Sequence, residues 1–139
     1  MSKISSKAFI DSSFFKAIID KKDDFNEKAN KILKRLEKEN ASLITSNYIL
    51  DESFTLIRTR CGLKMVDEFR KNLASSSQTL KIIRVTIADE AKAWEWFLND
   101  WSKLSFTDCV SFALMKRLNL TRVATFDEHF KKAGFKIEN

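Results

Sequence analysis

The chain has 139 residues, 44% of them hydrophobic, with 12 Phe and 3 Trp, which suffices for one packed domain, leaves too little chain for two, and needs no disulfide or structural zinc to close the core. Cys61 and Cys109 lie far apart without C-x-x-C spacing, no secretory signal precedes the first strand, and no apolar run reaches the roughly 18 residues of a membrane span, so a disulfide scaffold and an integral membrane protein are excluded and a soluble cytoplasmic domain is expected. The 25 Lys and Arg against 19 Asp and Glu, a net +6, suit a polyanionic partner such as nucleic acid.

Proline is absent and glycine occurs only at Gly62 and Gly134, so no linker, repeat or low-complexity tract divides the chain, and residues 1–139 read as a single domain. Ala8-Phe9-Ile10 is a short apolar strand ending at Asp11, and Ser12 or Ser13 can cap a helix carrying Phe14, Phe15, Ala17, Ile18 and Ile19. Phe25, Ala29, Ile32, Leu33 and Leu36 fall at helical spacing within 24–39, and 42–45 predicts a second strand. Two helices follow over 46–61 and 63–75, separated by Gly62. Residues 80–86 predict a third strand, 88–101 a helix, 107–118 another helix with Val110, Ala113, Leu114 and Leu118 inward, and 122–126 a fourth strand ending at Asp127. A short helix to Ala133, a turn at Gly134 and a weak fifth strand at 135–137 close the chain. This alternation predicts an α/β sandwich around a mostly parallel sheet of four or five strands flanked by helices.

Asp11, Glu52, Asp108 and Asp127 stand where strands end or where helices begin or turn inward. A side chain leaving the carboxyl end of a parallel strand enters the crevice where such sheets hold ligands, so Asp11 and Asp127 are candidates for one site. For Asp11 the competing role is a helix cap, which Ser12 and Ser13 can also fill. Around Asp127, Thr125 and Glu128 have capping-box spacing and can start the next helix without it. Asp108 lies in a first helical turn, where an acid suits the dipole and where Ser105 or Thr107 can be the cap. Asp51 and Glu52 are neighbours, but at about 100° per residue Asp51 falls opposite the arc of Ile49, Leu50, Phe54, Leu56 and Ile57 while Glu52 falls on its margin. Asp51 is therefore the solvated charge, and Glu52 the one held against the fold.

If these acids converge, their hard oxygens select Mg2+ or Mn2+ rather than zinc, and a cation answers the mutual repulsion that would otherwise push protons onto them. Metal-assisted hydrolysis of a phosphodiester by water then follows. Other chemistries lack their residues. His129 is the single histidine, read as a surface residue of the last helix; position 13 is serine, which breaks the phosphatase D-x-D; and no phosphate-binding glycine loop exists. Cys109 reads as a core thiol, and Trp94, Trp96, Phe97 and Trp101 read as core packing or a partner contact.

The segments FIDSSFF, TSNYILDESFTLIRTR, LSFTDCVSFALMKRLNL and RVATFDEHFKKAGF stand in the order and approximate spacing of a PIN-domain ribonuclease, with Asp127 nineteen residues after Asp108. The whole chain resembles one such domain, most closely the VapC-like toxin branch. The resemblance implies a mainly parallel five-stranded sheet and a catalytic, metal-holding acidic quartet of Asp11, Glu52, Asp108 and Asp127, with Ser13 and Thr107 in support. It also implies an RNA substrate, a small antitoxin partner that lays a helix or extended segment across the groove, and a homodimer formed through the helices between residues 46 and 75. Two rival readings stay open: a catalytically silent PIN-like module that binds RNA or protein, and a structural α/β domain in which these acids only cap helices or meet solvent.

Overall fold

Parallel strands must be joined by long crossovers, and the crossovers here are helical. The computed structural model describes residues 6–139, so the expected run of the first five residues into the first strand lies outside the described residues. Strand β1 (Lys7–Ile10) leads through α1 (Ser12–Ile19) and α2 (Asn26–Lys38) to β2 (Ser42–Ser46). From there α3 (Asn47–Cys61) and α4 (Leu63–Ser75) lead to β3 (Leu80–Ile83). Next, α5 (Ile87–Phe97) and α6 (Phe106–Arg117) lead to β4 (Arg122–Ala124), and α7 (His129–Lys132) precedes β5 (Lys136–Ile137). All five strands pair in parallel in the order β3-β2-β1-β4-β5. The chain winds outward from β1 through β2 to β3, then returns to the other side of β1 with β4. The order reverses between β1 and β4, where Phe9 pairs with Val123 and Ile10 with Ala124, and the carboxyl ends of those two strands open the crevice that the switch of direction creates.

Elements expected from apolar periodicity are present, and their edges differ for identifiable reasons. Strand β3 stops at Ile83 because the Val85 amide donates to the Asn47 side chain at 2.8 Å and Thr86 begins the capping box of α5. That helix ends at Phe97 rather than Trp101, where the Asn99 side-chain amide takes the carbonyls of Glu95 and Trp96, both at 3.1 Å. Strand β4 ends at Ala124 because the amides of Phe126 and Asp127 donate to the hydroxyls of Ser13 and Thr125 at 2.9 and 3.0 Å.

The core is aromatic. Phe9, Phe14, Phe112 and Phe130 are fully buried. Phe112 gathers the rings of Trp96, Phe130 and Phe135 at 5.7, 5.0 and 5.8 Å between centroids. Trp96 is therefore core, as expected. Trp94 is half exposed against Phe97 and Phe106, whereas Trp101, outside the helix expected to carry it, stacks on His129. Cys61 and Cys109 are free thiols, and burial followed by the Asp108 charge pushes the Cys109 thiol up to about 11, as suits an inert core residue. The carboxyl terminus is fastened by Glu138, buried and bonded to Arg122 and, at 2.7 Å, to Arg35. Among the described residues no helix is long and apolar enough to cross a membrane.

Because three ring contacts converge on Phe112, Phe112→Ala should leave a cavity and lower unfolding free energy by about 3–5 kcal/mol. Urea denaturation followed by tryptophan fluorescence measures this; a loss under about 1 kcal/mol would mean that the aromatic centre relaxes around the gap.

Candidate active site

Asp11 occupies the residue between β1 and α1, and its amide donates to the Ala124 carbonyl at 3.1 Å, tying the end of β1 to the end of β4. It holds the N-cap position of α1 without its side chain capping anything, and neither Ser12 nor Ser13 caps the helix as expected. All three side chains turn to the crevice instead. Asp11 Oδ2 accepts from Thr125 Oγ1 at 2.7 Å and from Ser13 Oγ at 3.0 Å. Asp11 Oδ1 is sealed from solvent and has no hydrogen-bond partner, in a residue only 2% exposed. Burial is the main force raising its carboxyl to about 6; the Thr125 and Ser13 hydroxyls work against that rise, and the Glu52 charge adds to it.

Glu52 projects from α3 and is half buried, while Asp51 beside it is exposed, as helical geometry required. The Ser12 hydroxyl donates to Glu52 Oε1, fixing the carboxylate toward α1 and within the field of Asp11. Phe54 is exposed, however, and Ser53 takes its place on the buried face of α3 with Ile49, Leu50 and Ile57.

Asp108 is both cap and site residue. Ser105 Oγ accepts the Asp108 amide at 3.0 Å and Asp108 Oδ2 accepts the Ser105 amide at 3.4 Å, so Ser105 rather than Thr107 is the cap of α6. The same carboxyl is buried and pushed upward, first by desolvation, then by the charges of Asp11 and Asp127. Thr107 stands beside it, half buried, and its hydroxyl makes no hydrogen bond among the described residues.

The expected capping box of Thr125 and Glu128 does not form. Thr125 is committed to Asp11 and to the Asp127 amide, so Asp127 Oδ1 itself accepts the His129 amide at 2.9 Å and starts α7. His129 is not the surface residue expected from its helix. Its Nδ1 lies 2.7 Å from Asp127 Oδ1 and 3.9 Å from Asp108 Oδ2. One ligand atom from each of Asp108, Asp127 and His129 falls within 4.8 Å of the others.

Glu52, Asp11, Asp108 and Asp127 thus form a chain of charges, each felt by the next. The donor set fits a divalent ion: hard oxygens, a buried oxygen without a partner, and two carboxyls, Asp11 and Asp108, pushed upward by burial and then by neighbouring charge. Sequence reasoning missed the parts played by Ser12, Thr125 and His129. Their signal was adjacency, since D-S-S and T-F-D-E-H put hydroxyls and an imidazole one or two residues from the acids.

A parallel α/β sandwich with buried and half-buried acids at the carboxyl edge of its sheet, two of them beside a histidine, is an arrangement that suits a metal-assisted hydrolase. The PIN domain model matches residues 8–136, and the chain belongs to that family, whose nucleases use divalent metal. It is homologous to the VapC toxin ribonucleases. It is 33% identical over 133 residues to the 23S rRNA-specific endonuclease VapC20 of Mycobacterium tuberculosis, covering 91% of this chain and 94% of that protein. The crystal structure of VapC20, described as a Sarcin-Ricin loop cleaving toxin, superposes with TM-score 0.80 at 32% identity over 94% of this chain and 96% of that one. VapBC2 from Rickettsia felis, solved bound to a DNA fragment from its promoter, shares the fold at TM-score 0.66 and 16% identity, over 96% and 98% of the two chains. FitAcB from Neisseria gonorrhoeae shares it at 0.67 and 17%, over 95% and 96%.

The raised carboxyls make a stability prediction. A group whose folded pKa lies above its unfolded value of 3.8 binds its proton more tightly in the native state, so its contribution is fully present below about pH 4 and is lost as pH rises through the folded value, about 6 for Asp11 and likewise raised for Asp108. With metal removed by chelator, Asp108→Asn should therefore be more stable than wild type at pH 8, by about 1–3 kcal/mol, and the gap should close toward pH 4. Urea melts at the two pH values measure it, and equal stabilities at pH 8 would show that the acids do not strain the metal-free fold.

Proposed function

We propose that this chain is an endoribonuclease that hydrolyses an RNA phosphodiester bond with water, using Mg2+ or Mn2+ held among Asp11, Glu52, Asp108 and Asp127, and that it is the toxin of a toxin-antitoxin pair. The observation that carries the reading is the sealed, unpartnered Oδ1 of Asp11 beside the upward-shifted carboxyl of Asp108. A cation relieves both. RNA is favoured over DNA by the rRNA-cleaving relative at 33% identity, since activated water does not itself need a 2′-hydroxyl. The net charge of +6, with these acids turned inward, favours a phosphate-bearing substrate.

When bound, the ion supplies the charge that lets water lose a proton near neutrality and that steadies the phosphate. The chain's part is placement. Ser13 and Thr125 pin Oδ2 of Asp11, so Oδ1 is the atom offered to the ion. Asp108 and Asp127 face it from α6 and from the end of β4, directly or through water, with Thr107 beside them. Glu52, steered by Ser12, holds the ion or the attacking water and can take up its proton.

The antitoxin is favoured by the relative described as a toxin and by an apolar groove of about 360 Å³ lined by Ile10, Phe14, Phe15, Met65 and Phe69, which could seat an amphipathic segment. An antitoxin segment that reaches the acidic crevice could set an Arg on the carboxylates. A homodimer through α3 and α4 is favoured by the exposure of Phe54 and, at 67%, of Leu63. Two free thiols suit a reducing cytoplasm as the place of action.

The test is cleavage of an RNA hairpin reproducing the sarcin-ricin loop, and of whole ribosomal RNA, with Mg2+ or Mn2+. Cutting should stop with chelator, and Asp11→Asn, Asp108→Asn, Asp127→Asn and Glu52→Gln should each slow it by roughly 100-fold or more, the scale of a lost charge-stabilising group. Intact metal binding without cleavage of either RNA would replace this reading with the silent binding module.

A further inference from the structure

The side chain that the acidic quartet leaves unexplained is His129. We infer that His129 is itself a ligand of the divalent ion, through Nδ1, and that it biases the site toward Mn2+ over Mg2+; the inference rests on the metal-dependent nuclease reading above.

The ring's two nitrogens have different surroundings. Nε2 lies 2.8 Å from the Ser102 carbonyl oxygen, which can only accept, so the ring proton resides on Nε2. In the neutral imidazole Nδ1 then carries a bare lone pair. That nitrogen is sealed from solvent, makes no aligned hydrogen bond, and faces Asp127 Oδ1 at 2.7 Å and Asp108 Oδ2 at 3.9 Å. A lone pair and carboxylate oxygens repel at such range unless a cation accepts from them together or a second ring proton lies between them.

The ring is also held as ligating histidines are held. A backbone carbonyl on the far nitrogen fixes both tautomer and plane, and the Trp101 indole lies parallel to the imidazole, 3° between planes and 6.5 Å between centroids, with Lys132 Nζ 4.8 Å from the centre of the indole ring. A second, independent pointer is Asp11, 2% exposed and with Oδ1 unpartnered, whose charge reaches the same Asp108. Carboxylates alone suit Mg2+, which takes oxygen in a strict octahedron. A nitrogen among them favours first-row transition ions, on the rising order from Mn2+ to Co2+. The rival state is a doubly protonated imidazolium paired with Asp127, which would hold no metal.

His129 is the single histidine of the chain, so its resonances need no assignment. The experiment adds Co2+ to the full-length protein and looks in the proton spectrum for a contact-shifted imidazole N–H, far outside the diamagnetic range and lost in D2O. Its appearance, and its absence from His129→Gln, is the expected result. Gln keeps an N–H for the Ser102 carbonyl but has nothing at the Nδ1 position. Calorimetry should then show Mn2+ affinity lower by at least about 10-fold in His129→Gln, Mg2+ affinity nearly unchanged, and the metal-free melting temperature not lowered. Co2+ binding that Asp108→Asn weakens, without a contact-shifted N–H, would overturn the ligand role and leave the nuclease reading standing. Equal losses of Mn2+ and Mg2+ affinity in His129→Gln would overturn the selectivity. No binding of Co2+, Mn2+ or Mg2+ to wild type would overturn the ligand role and the metal-dependent nuclease reading together.

Discussion

Everything at the carboxyl edge of this sheet follows from one unfavourable act, the burial of the Asp11 carboxylate. A charge taken out of water must be paired, hydrogen-bonded or neutralised. Here Oδ2 is provided for by two hydroxyls and Oδ1 is not. Parallel pairing of β1 with β4 makes the burial unavoidable, because Ile10 opposite Ala124 brings the ends of both strands, and with them Asp11 and Thr125, into the same crevice. The short β4 is part of the arrangement. Its last amides leave the ladder for the hydroxyls of Ser13 and Thr125, and those hydroxyls are thereby oriented to donate to Asp11.

Such a cluster destabilises the metal-free fold, so the stability must be supplied elsewhere, and the apolar layers on both faces of the sheet supply it. Phe9, Phe14, Phe112 and Phe130 are buried completely, each contributing roughly 1.5–3 kcal/mol by burial. Far from the site, the Arg35, Arg122 and Glu138 group closes the opposite end of β4 and holds the last residues of the chain. The apolar core and this ion group both lie apart from the acidic cluster, so a cation at the cluster would add the relief of its repulsion to a core already packed.

The element order and the parallel sheet were legible because apolar periodicity is local, and local signals suffice when each strand is a run such as Ala8-Phe9-Ile10 and each helix has an inward stripe. The choice of Glu52 over Asp51 was legible for the same reason, since helical phase alone separates neighbours by about 100°. What stayed hidden needed knowledge of partners distant in sequence. Ser12 and Ser13 looked like helix caps until their distant partners, Glu52 and Thr125, were seen. Thr125 and Glu128 had capping-box spacing, yet the box competes with a buried carboxylate for one hydroxyl, and the carboxylate prevails. His129 looked like a surface residue because nothing local reveals that Ser102 and Trp101, in an irregular connection, close over it.

Capping and chemistry are not alternatives at these positions. Asp108 completes the capping box of α6 through Oδ2, and Asp127 starts α7 through Oδ1, so each carboxylate spends one oxygen on the backbone that carries it. That use fixes the whole carboxylate in position, because its carbon frame is tied to a helix start rather than to a free rotamer. Asp11 reaches the same end by hydroxyls and Glu52 by Ser12. Asp108 and Asp127 are thus oriented by bonds within three residues, whereas Glu52 and the second bond to Asp11 wait for Ser12 and Thr125, far away in the chain, so the tertiary fold both gathers the acids and completes the orientation of two of them.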